Sequence, residues 1–259
     1  MEYIRLKVGV NDEGIADRMK YNPEIIEFHL TQEDLEQVEV LREKIQYLKA
    51  QGVNVYLHHP MFFGTEFLDI VSENPDNRAY YDWSSRLLAK LCEEEDIYCV
   101  LHAHYTGSIS TEITPERVAE TIERIKEVLA FEGGNRFLWE NTIAGIFSYR
   151  NERLIEDIVA PLNLPMTFDV SHAYISFKGD NDALEQALTK SLPYIKYCHV
   201  VDSKGQKHDS LPLGNGTTDW SRIKPHIAHL PFIFEIDTSA SNHLDCTPMV
   251  ESARYFASL

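Results

Sequence analysis

Short runs of β-branched and aromatic residues alternate with longer segments of helical periodicity along the whole chain. Eight such strands are predicted, at 4–10, 25–30, 53–58, 97–102, 136–140, 166–170, 195–201 and 232–236. Between them, apolar residues recur at helical spacing, most clearly in 32–51, where Leu35, Val38 and Leu41 share one face. Further helices are predicted at 77–94, 115–131, 151–161, 180–192 and 247–259. Strands that alternate with helices indicate a parallel sheet with right-handed crossovers.

Eight strand–helix units in 259 residues match the size of a (β/α)₈ TIM barrel. The alternative is an open, doubly wound sheet, which usually carries a glycine-rich phosphate loop after its first strand. The segment 8–14 reads VGVNDEG and lacks that GxGxxG pattern. Because no linker or low-complexity tract interrupts the chain, we expect a single α/β barrel domain over 1–259.

The charge balance narrows the classes of partner. The chain has 24 basic and 41 acidic residues, a formal net charge of −17. Phosphate backbones are bound chiefly by Lys and Arg, so nucleic acid is an unlikely partner. The four cysteines have no CxxC spacing, the N-terminus has no signal-peptide pattern, and no apolar run approaches the ~20 residues of a membrane span. We therefore expect a cytoplasmic protein with reduced thiols and no membrane partner.

Histidines and carboxylates collect where predicted strands end. Of the 11 histidines, seven lie at or just past such ends: His29, His58, His59, His102, His104, His172 and His199. Glu140, Asp169 and Glu235 each end a strand after several apolar residues. In a TIM barrel these ends share one face, where active sites form. A carboxylate buried there needs a cation or hydrogen-bond partners.

Glu140, Asp169, His199 and Glu235 lie on four successive strands, and this set predicts a metal site. Carboxylate and imidazole ligands suit Mn²⁺, Co²⁺, Zn²⁺ or Fe²⁺. Each residue taken alone has a structural explanation, and for His29, His59 and His104 that explanation is the favoured one. The stretch 61–76 is a long loop at a strand end, open to two interpretations: a pocket wall or lid, or a packed surface loop.

The order and spacing of these motifs resemble the xylose isomerase-like TIM-barrel superfamily. That superfamily includes sugar isomerases and epimerases and the endonuclease IV type of phosphodiesterase. The matching motifs are LHHP at 57–60, VLH at 100–102, WEN at 139–141, FDVSH at 168–172, HVVDSK at 199–204, LPLGNG at 211–216, DW at 219–220 and FE at 234–235. The resemblance covers essentially the whole chain and is strong for fold but weak for substrate.

Among epimerase-like members, the resemblance implies one divalent metal held by the residues that match the four-strand set. The metal is left open between Mn²⁺, Co²⁺, Zn²⁺ and Mg²⁺. It also implies that Glu140 and Glu235 exchange a proton at carbon through an enediolate. A small sugar-like molecule is the implied substrate. Many relatives are dimers or tetramers, so a homo-oligomer stays open.

The resemblance also assigns further pocket residues. His58 and His102 are expected to donate hydrogen bonds to sugar hydroxyls. His172 follows Asp169 by three residues and would reach the substrate or a second metal. Lys204 lies near a position where such epimerases often carry an Arg, and it would hold a hydroxyl or phosphate oxygen unless it is simply a solvated loop lysine.

The endonuclease IV-like members imply a competing, hydrolytic function. They hold additional metals through residues matching His58, His102 or His104, and His172, and through an Asp-x-His pair. Aligned on LPLGNG, that pair is His208 and Ser210 here, and the motif's Glu is Asn215. Serine is a poor ligand, so a three-metal site is not expected, whereas two metals around Glu140 remain open.

Three functions therefore stand. The leading hypothesis is a metal-dependent sugar isomerase or epimerase. The alternative is a metal-dependent phosphodiesterase that acts on a small phosphoester. The third is a degenerate barrel that only binds a sugar or partner.

Overall fold

Eight parallel strands close into a barrel in the computed structural model, which describes residues 3–105 and 112–259. The strands are β1 Arg5–Gly9, β2 Ile25–His29, β3 Asn54–His58, β6 Tyr98–Leu101, β7 Phe137–Glu140, β8 Met166–Asp169, β9 Ile195–Val200 and β10 Phe232–Phe234. Their order around the barrel is β1-β10-β9-β8-β7-β6-β3-β2. All eight predicted strands are present, and the predicted TIM barrel is confirmed.

Helices follow the strands and surround the barrel. They are α1 Asp12–Met19, α2 Gln32–Glu36, α3 Val38–Ala50, α4 Pro75–Glu95, α5 Pro115–Leu129, α6 Ala160–Leu162, α7 Val170–Ser176, α8 Asn181–Ser191, α9 Trp220–Ile227 and α10 Thr247–Ser258. Among the described residues, no helix has both the length and the apolar character that crossing a membrane requires.

The segment predicted as one helix over 32–51 is divided at Gln37 into α2 and α3. Thr31 begins α2 through a capping box with Asp34, in which each side chain accepts from the other's backbone N–H. The predicted apolar face is nevertheless continuous across α2 and α3: Leu35, Leu41 and Ile45 are all buried.

The helix predicted over 151–161 is largely a π-helix, Leu154–Val159, that continues into α6. The N–H of Ala160 donates to the carbonyl of Ile155, five residues back. Pro161 follows at once and has no N–H to donate, so the regular α-helical ladder is lost at this point.

The stretch 61–76 contains a small antiparallel hairpin, β4 Phe62–Phe63 and β5 Glu66–Phe67. The rings of Phe62 and Phe67 stack with centroids 4.5 Å apart. Met61 and Phe67 line a cavity at the barrel mouth. Of the two interpretations of this stretch, the pocket wall is therefore the correct one.

The inside of the barrel changes from apolar to polar along its axis. Its lower part is a separate apolar cluster of Ile25, Val100, Leu138, Tyr197 and Ile233. Two residues further along each strand, the next side chains that point into the barrel are polar. Lys7 is in register with Glu27, and Asp169 with His199. The strand pattern thus places charged groups on an apolar floor, facing the mouth.

Candidate metal centre

Four side chains from successive strands converge at the carboxyl-terminal mouth of the barrel. Glu140 ends β7, Asp169 ends β8, His199 lies in β9, and Glu235 directly follows β10. One ligand atom from each lies within 4.8 Å of the others. Glu140, Asp169 and His199 have no exposed surface, while 21% of the Glu235 side chain is exposed. The structure therefore brings together all four residues of the predicted metal set.

The polar atoms of this group are poorly satisfied by the rest of the described protein. Both carboxylate oxygens of Glu140, Oδ2 of Asp169 and Nδ1 of His199 are buried, and the polar groups nearest to them in the described protein are the other carboxylates and imidazoles of the barrel mouth. Such atoms are costly in an apolar interior. A set of three carboxylates and one imidazole is the donor chemistry of Mn²⁺, Co²⁺ or Zn²⁺, so these residues fit a divalent metal.

Charge crowding alters the acidities in the group. Burial, reinforced by the carboxylates of Glu140 and Glu235, raises the pKa of Asp169 to about 7. Burial alone would raise the pKa of Glu140 too, but the imidazoles of His102 and His199 hold it well below its usual range. Against the effect of burial, Asp169 and Glu140 raise the pKa of His172 to about 9. Strong mutual shifts of pKa among buried carboxylates and imidazoles in a cavity are a mark of a candidate functional site.

Two charged residues behind this group escaped the sequence analysis. Glu27 lies in the middle of β2 with no exposed surface, and its Oε2 is 2.9 Å from Nε2 of His199. The Nζ of Lys7 in β1 contacts Glu235 and lies 3.5 Å from Oε1 of Glu27. Since a carboxylate only accepts, Nε2 of His199 donates to Glu27, and Nδ1 faces the carboxylates of the four-residue group, 2.7 Å from Oε2 of Glu235. With carboxylates on both sides, the pKa of His199 is raised well above its usual value, against the effect of burial.

A second group of candidate ligands shares Glu140. His58, His102 and Glu140 also offer ligand atoms within 4.8 Å of one another. Oε2 of Glu140 is 3.4 Å from Nε2 of His58 and 3.0 Å from Nε2 of His102. Nδ1 of His58 donates to the carbonyl of His59 at 2.9 Å, so in the neutral ring Nε2 faces Glu140 as an acceptor. Nδ1 of His172 lies 3.2 Å from the other Glu140 oxygen.

These groups open into a cavity of about 430 Å³ at the barrel mouth. Of the predicted site residues, the following line it: His58, His102, Glu140, His172, His208 and Glu235. Lys204 is exposed and does not contribute to this wall. Lys207 does, together with Gln206 and Arg150, none of which the sequence analysis singled out.

The sequence profile of the xylose isomerase-like TIM barrel matches residues 18–257. The chain belongs to this family. No match is found among curated protein sequences.

Solved structures share the fold across the full length of the chain. A D-tagatose 3-epimerase-like protein has 18% identity and a TM-score of 0.74, with 98% of this chain and 96% of that chain covered. The D-psicose 3-epimerase of Clostridium cellulolyticum H10, solved with D-tagatose, has 14% identity and a TM-score of 0.70, with 98% and 97% covered. The TTHB071 protein of Thermus thermophilus, soaked with ZnCl₂, has 17% identity and a TM-score of 0.68, again with 98% and 97% covered.

The LPLGNG segment, which resembles a motif of the xylose isomerase-like family, has a structural role here. The carboxylate of Asp202 accepts backbone hydrogen bonds from Ser203, Gly214, Gly216 and Thr218, at 2.8–3.3 Å. A Cβ on Gly216 would meet Oδ1 of Asp202 at 2.2 Å, so the close approach requires glycine. This loop carries 206–208 to the cavity wall.

Of the atypical residues in and just before that segment, His208 lines the barrel-mouth cavity, and Ser210 and Asn215 do not. Asn215 is exposed. Nε2 of His208 lies 3.3 Å from Oγ of Ser210, and burial lowers the pKa of His208 to about 4. The His208 ring is 4.9 Å from that of His172, centroid to centroid, so His208 belongs to the cavity wall next to the predicted ligands.

A structural role was favoured for three strand-end histidines, and two of them, His59 and His104, hydrogen-bond to other parts of the fold. His59 lies between the carbonyl of Pro60, at 3.0 Å, and the hydroxyl of Ser84, at 2.9 Å. Nε2 of His104 accepts from the N–H of Phe147 at 3.0 Å. His29 differs from them, because it lines the barrel-mouth cavity and also a second cavity beside it.

Proposed function

We propose that the protein is a divalent-metal-dependent isomerase or epimerase of a small sugar or sugar derivative. The supporting observation is the convergence of Glu140, Asp169, His199 and Glu235, which offer ligand atoms within 4.8 Å of one another at the barrel mouth. The fold shared with sugar 3-epimerases is consistent with this function.

The cavity suits a small polyhydroxylated molecule. Its volume of about 430 Å³ lies within the usual range for small-molecule sites. One side carries the carboxylates and imidazoles, which pair with hydroxyl and carbonyl oxygens. The lining also includes Met61, Phe67 and Ile143, apolar groups that can pack against the C–H face of a sugar ring.

The two glutamates approach the cavity from strands that β8 and β9 separate. In the proposed reaction Glu235 removes the proton from the carbon next to the substrate carbonyl. The electron pair of the broken C–H bond forms the C=C bond of an enediolate, and the carbonyl oxygen takes the negative charge. Return of a proton to that carbon from the opposite face, the side of Glu140, inverts it; Glu140 takes this proton from solvent and passes it on, and Glu235 releases its proton to solvent. A divalent ion in the site supplies positive charge that stabilises this oxyanion.

The experiment is exchange of the substrate α-proton with solvent deuterium, with D-psicose and D-tagatose as probes. We expect the metal-loaded wild type to incorporate deuterium. Glu235→Gln should exchange at least about 100-fold more slowly, because a general base usually contributes that much to the rate. Glu43→Gln, on the exposed face of α3, is the matched control and should exchange normally. Full exchange by Glu235→Gln would contradict the role given to this carboxylate.

A second candidate function is hydrolysis of a small phosphoester. The observation that favours it is the additional ligand group of His58, His102 and Glu140, which shares Glu140 with the first group. Two ions about 3.5–4 Å apart activate water and stabilise phosphoryl oxygens in many phosphatases and nucleases.

Metal stoichiometry separates the two candidates. One tightly bound Mn²⁺ or Co²⁺ per chain after dialysis supports the isomerase. Two Zn²⁺ per chain, of which one is lost in the double variant His58→Phe, His102→Phe, supports the hydrolase. Elemental analysis of the dialysed protein measures both.

A further inference from the structure

Four charged side chains form a closed ring on the strands next to the point where the barrel closes. Lys7 of β1 contacts Oε1 of Glu235 and lies 3.5 Å from Oε1 of Glu27 in β2. The remaining oxygen of each glutamate faces the imidazole of His199. Oε2 of Glu27 is 2.9 Å from Nε2, and Oε2 of Glu235 is 2.7 Å from Nδ1.

Stability alone does not account for such a ring. Only 12% of the Lys7 side chain is exposed and none of the Glu27 side chain. Desolvation of buried ions offsets most of their mutual attraction, and well-packed apolar residues in their place are often as stable. Removal of one partner, by contrast, leaves an unpaired buried charge.

The ring does determine which atoms face the predicted metal. Glu27 holds Nε2 of His199 at 2.9 Å, so Nδ1 is the nitrogen turned towards Asp169, Glu140 and Glu235. A metal bound there would take the lone pair of Nδ1 while the proton stays on Nε2, against Glu27. Because an ammonium only donates, Lys7 occupies Oε1 of Glu235 and leaves Oε2 on the metal side. A hydrogen-bonded carboxylate behind a ligating histidine fixes its tautomer and ring orientation.

We propose that Glu27 and Lys7 are positioning residues of the metal centre: Glu27 orients His199, and Lys7 orients Glu235 while balancing the charge of Glu27. The inference rests on the metal centre of the proposed function and adds two residues that do not themselves ligate. It requires metal affinity to depend on the acceptor at position 27, separately from fold stability.

The test compares two double variants that both remove the buried ion pair and have the same net charge. Lys7→Met with Glu27→Gln keeps an amide oxygen as acceptor for Nε2 of His199. Lys7→Met with Glu27→Met removes that acceptor. Mn²⁺ affinity is measured by competition with a chromophoric chelator, and the unfolding free energy of the metal-free proteins by urea. The exposed pair of Lys190 and Glu156, changed to Met and Gln, is the surface control.

The Met/Met variant is Lys7→Met with Glu27→Met, and the Met/Gln variant is Lys7→Met with Glu27→Gln. We expect the Met/Met variant to bind Mn²⁺ about 10–100-fold more weakly than the Met/Gln variant, the usual effect of losing a hydrogen-bond partner behind a ligating histidine. The Met/Gln variant should in turn bind more weakly than wild type, because Glu235 has lost Lys7. Both should unfold cooperatively, and the surface control should bind as wild type does.

Equal Mn²⁺ affinity in both double variants overturns the role of Glu27. Wild-type affinity in the Met/Gln variant overturns the role of Lys7. If wild type itself binds no Mn²⁺, the metal centre of the proposed function is wrong and the positioning role fails with it.

Discussion

Asp169 divides its two carboxylate oxygens between structure and site. Oδ1 accepts the backbone N–H of His172 at 2.6 Å and so begins α7. Oδ2 is buried and faces the metal group with no hydrogen-bond partner among the described residues. The same carboxylate therefore caps α7 and supplies a predicted ligand oxygen. Because its Oδ1 is held by the helix, the Asp169 side chain has little freedom to move.

His59 gives a prediction about acid stability. Burial lowers its pKa to about 3, from about 6.5 for a free histidine. Between these pH values the unfolded chain binds a proton that the folded protein does not, so folding stability falls as the pH falls from 6.5 towards 3. At 1.36 kcal/mol per pH unit, His59 accounts for roughly 2–3 kcal/mol of lost stability at pH 4.5.

His59→Gln should therefore lose roughly 2 kcal/mol less than wild type between pH 7 and pH 4.5. Urea unfolding of the metal-free proteins at the two pH values measures this difference. His229→Gln, on an exposed histidine, should follow wild type. An unchanged pH slope in His59→Gln would show that another group causes the acid sensitivity.

At the residue scale, the sequence analysis found the candidate ligands at strand ends. It missed Glu27 and Lys7, which lie inside their strands. Glu140, Asp169 and Glu235 stand out because each interrupts an apolar run at its end. Glu27 lies inside IIEFH, two residues before His29, and Lys7 lies inside RLKVG. Inward-facing strand positions alternate, so a charge two residues before a strand-end histidine points into the same barrel. For Glu27 this pattern was the available signal, whereas Lys7 is followed two residues later by Gly9 and had no such signal.

At the element scale, the loop over 202–218 is organised around the buried carboxylate of Asp202. Removing charge and acceptor capacity there leaves several backbone N–H groups unsatisfied at once. Asp202→Asn should lower the unfolding free energy by about 2–4 kcal/mol, in the range for a broken buried hydrogen-bond network. It should also weaken ketose binding, because the loop carries Lys207 and His208 to the cavity.

Urea unfolding measures the stability effect of Asp202→Asn, and the KM for D-psicose measures the binding effect. Asp157→Asn is the control, since it changes only an exposed pair with Arg153 on the outside of the barrel. Wild-type stability of Asp202→Asn would mean that backbone contacts alone hold the loop.

The regular elements were predictable, and the irregular ones were not. Apolar periodicity located the strands, because each must present one face to the helices and one to the interior. The π-helix at Leu154–Val159 has the same apolar spacing as an α-helix within the precision of such a pattern. The division at Gln37 and the Phe62–Phe67 hairpin depend on tertiary packing, which periodicity does not encode.

At the scale of the whole molecule, the polar barrel mouth predicts that metal binding stabilises the fold. A ligand that binds only the folded state at 100 times its Kd adds about 2.7 kcal/mol. For a chain of this size that corresponds to a rise of roughly 5–10 °C in Tm. Wild type should therefore melt higher in Mn²⁺ than in EDTA, as differential scanning calorimetry measures.

Glu140→Gln should lose this rise in Tm. The chain has a net charge of −17, so its surface carboxylates also attract Mn²⁺. The variant keeps nearly all of that surface charge and changes one oxygen of the centre. A rise in Tm equal to that of wild type would assign the stabilisation to the surface.

The two barrel strands furthest apart in sequence, β1 and β10, lie side by side, and among the described residues their ladder has one residue pair in register, Leu6 with Phe234. The contact of Lys7 with Glu235 crosses this same boundary. The junction with the thinnest backbone ladder is thus fastened by side chains of the chemical centre itself. A chain in which β10 has not docked lacks Glu235 at the barrel mouth, so the group of four predicted ligands is complete only in the closed barrel.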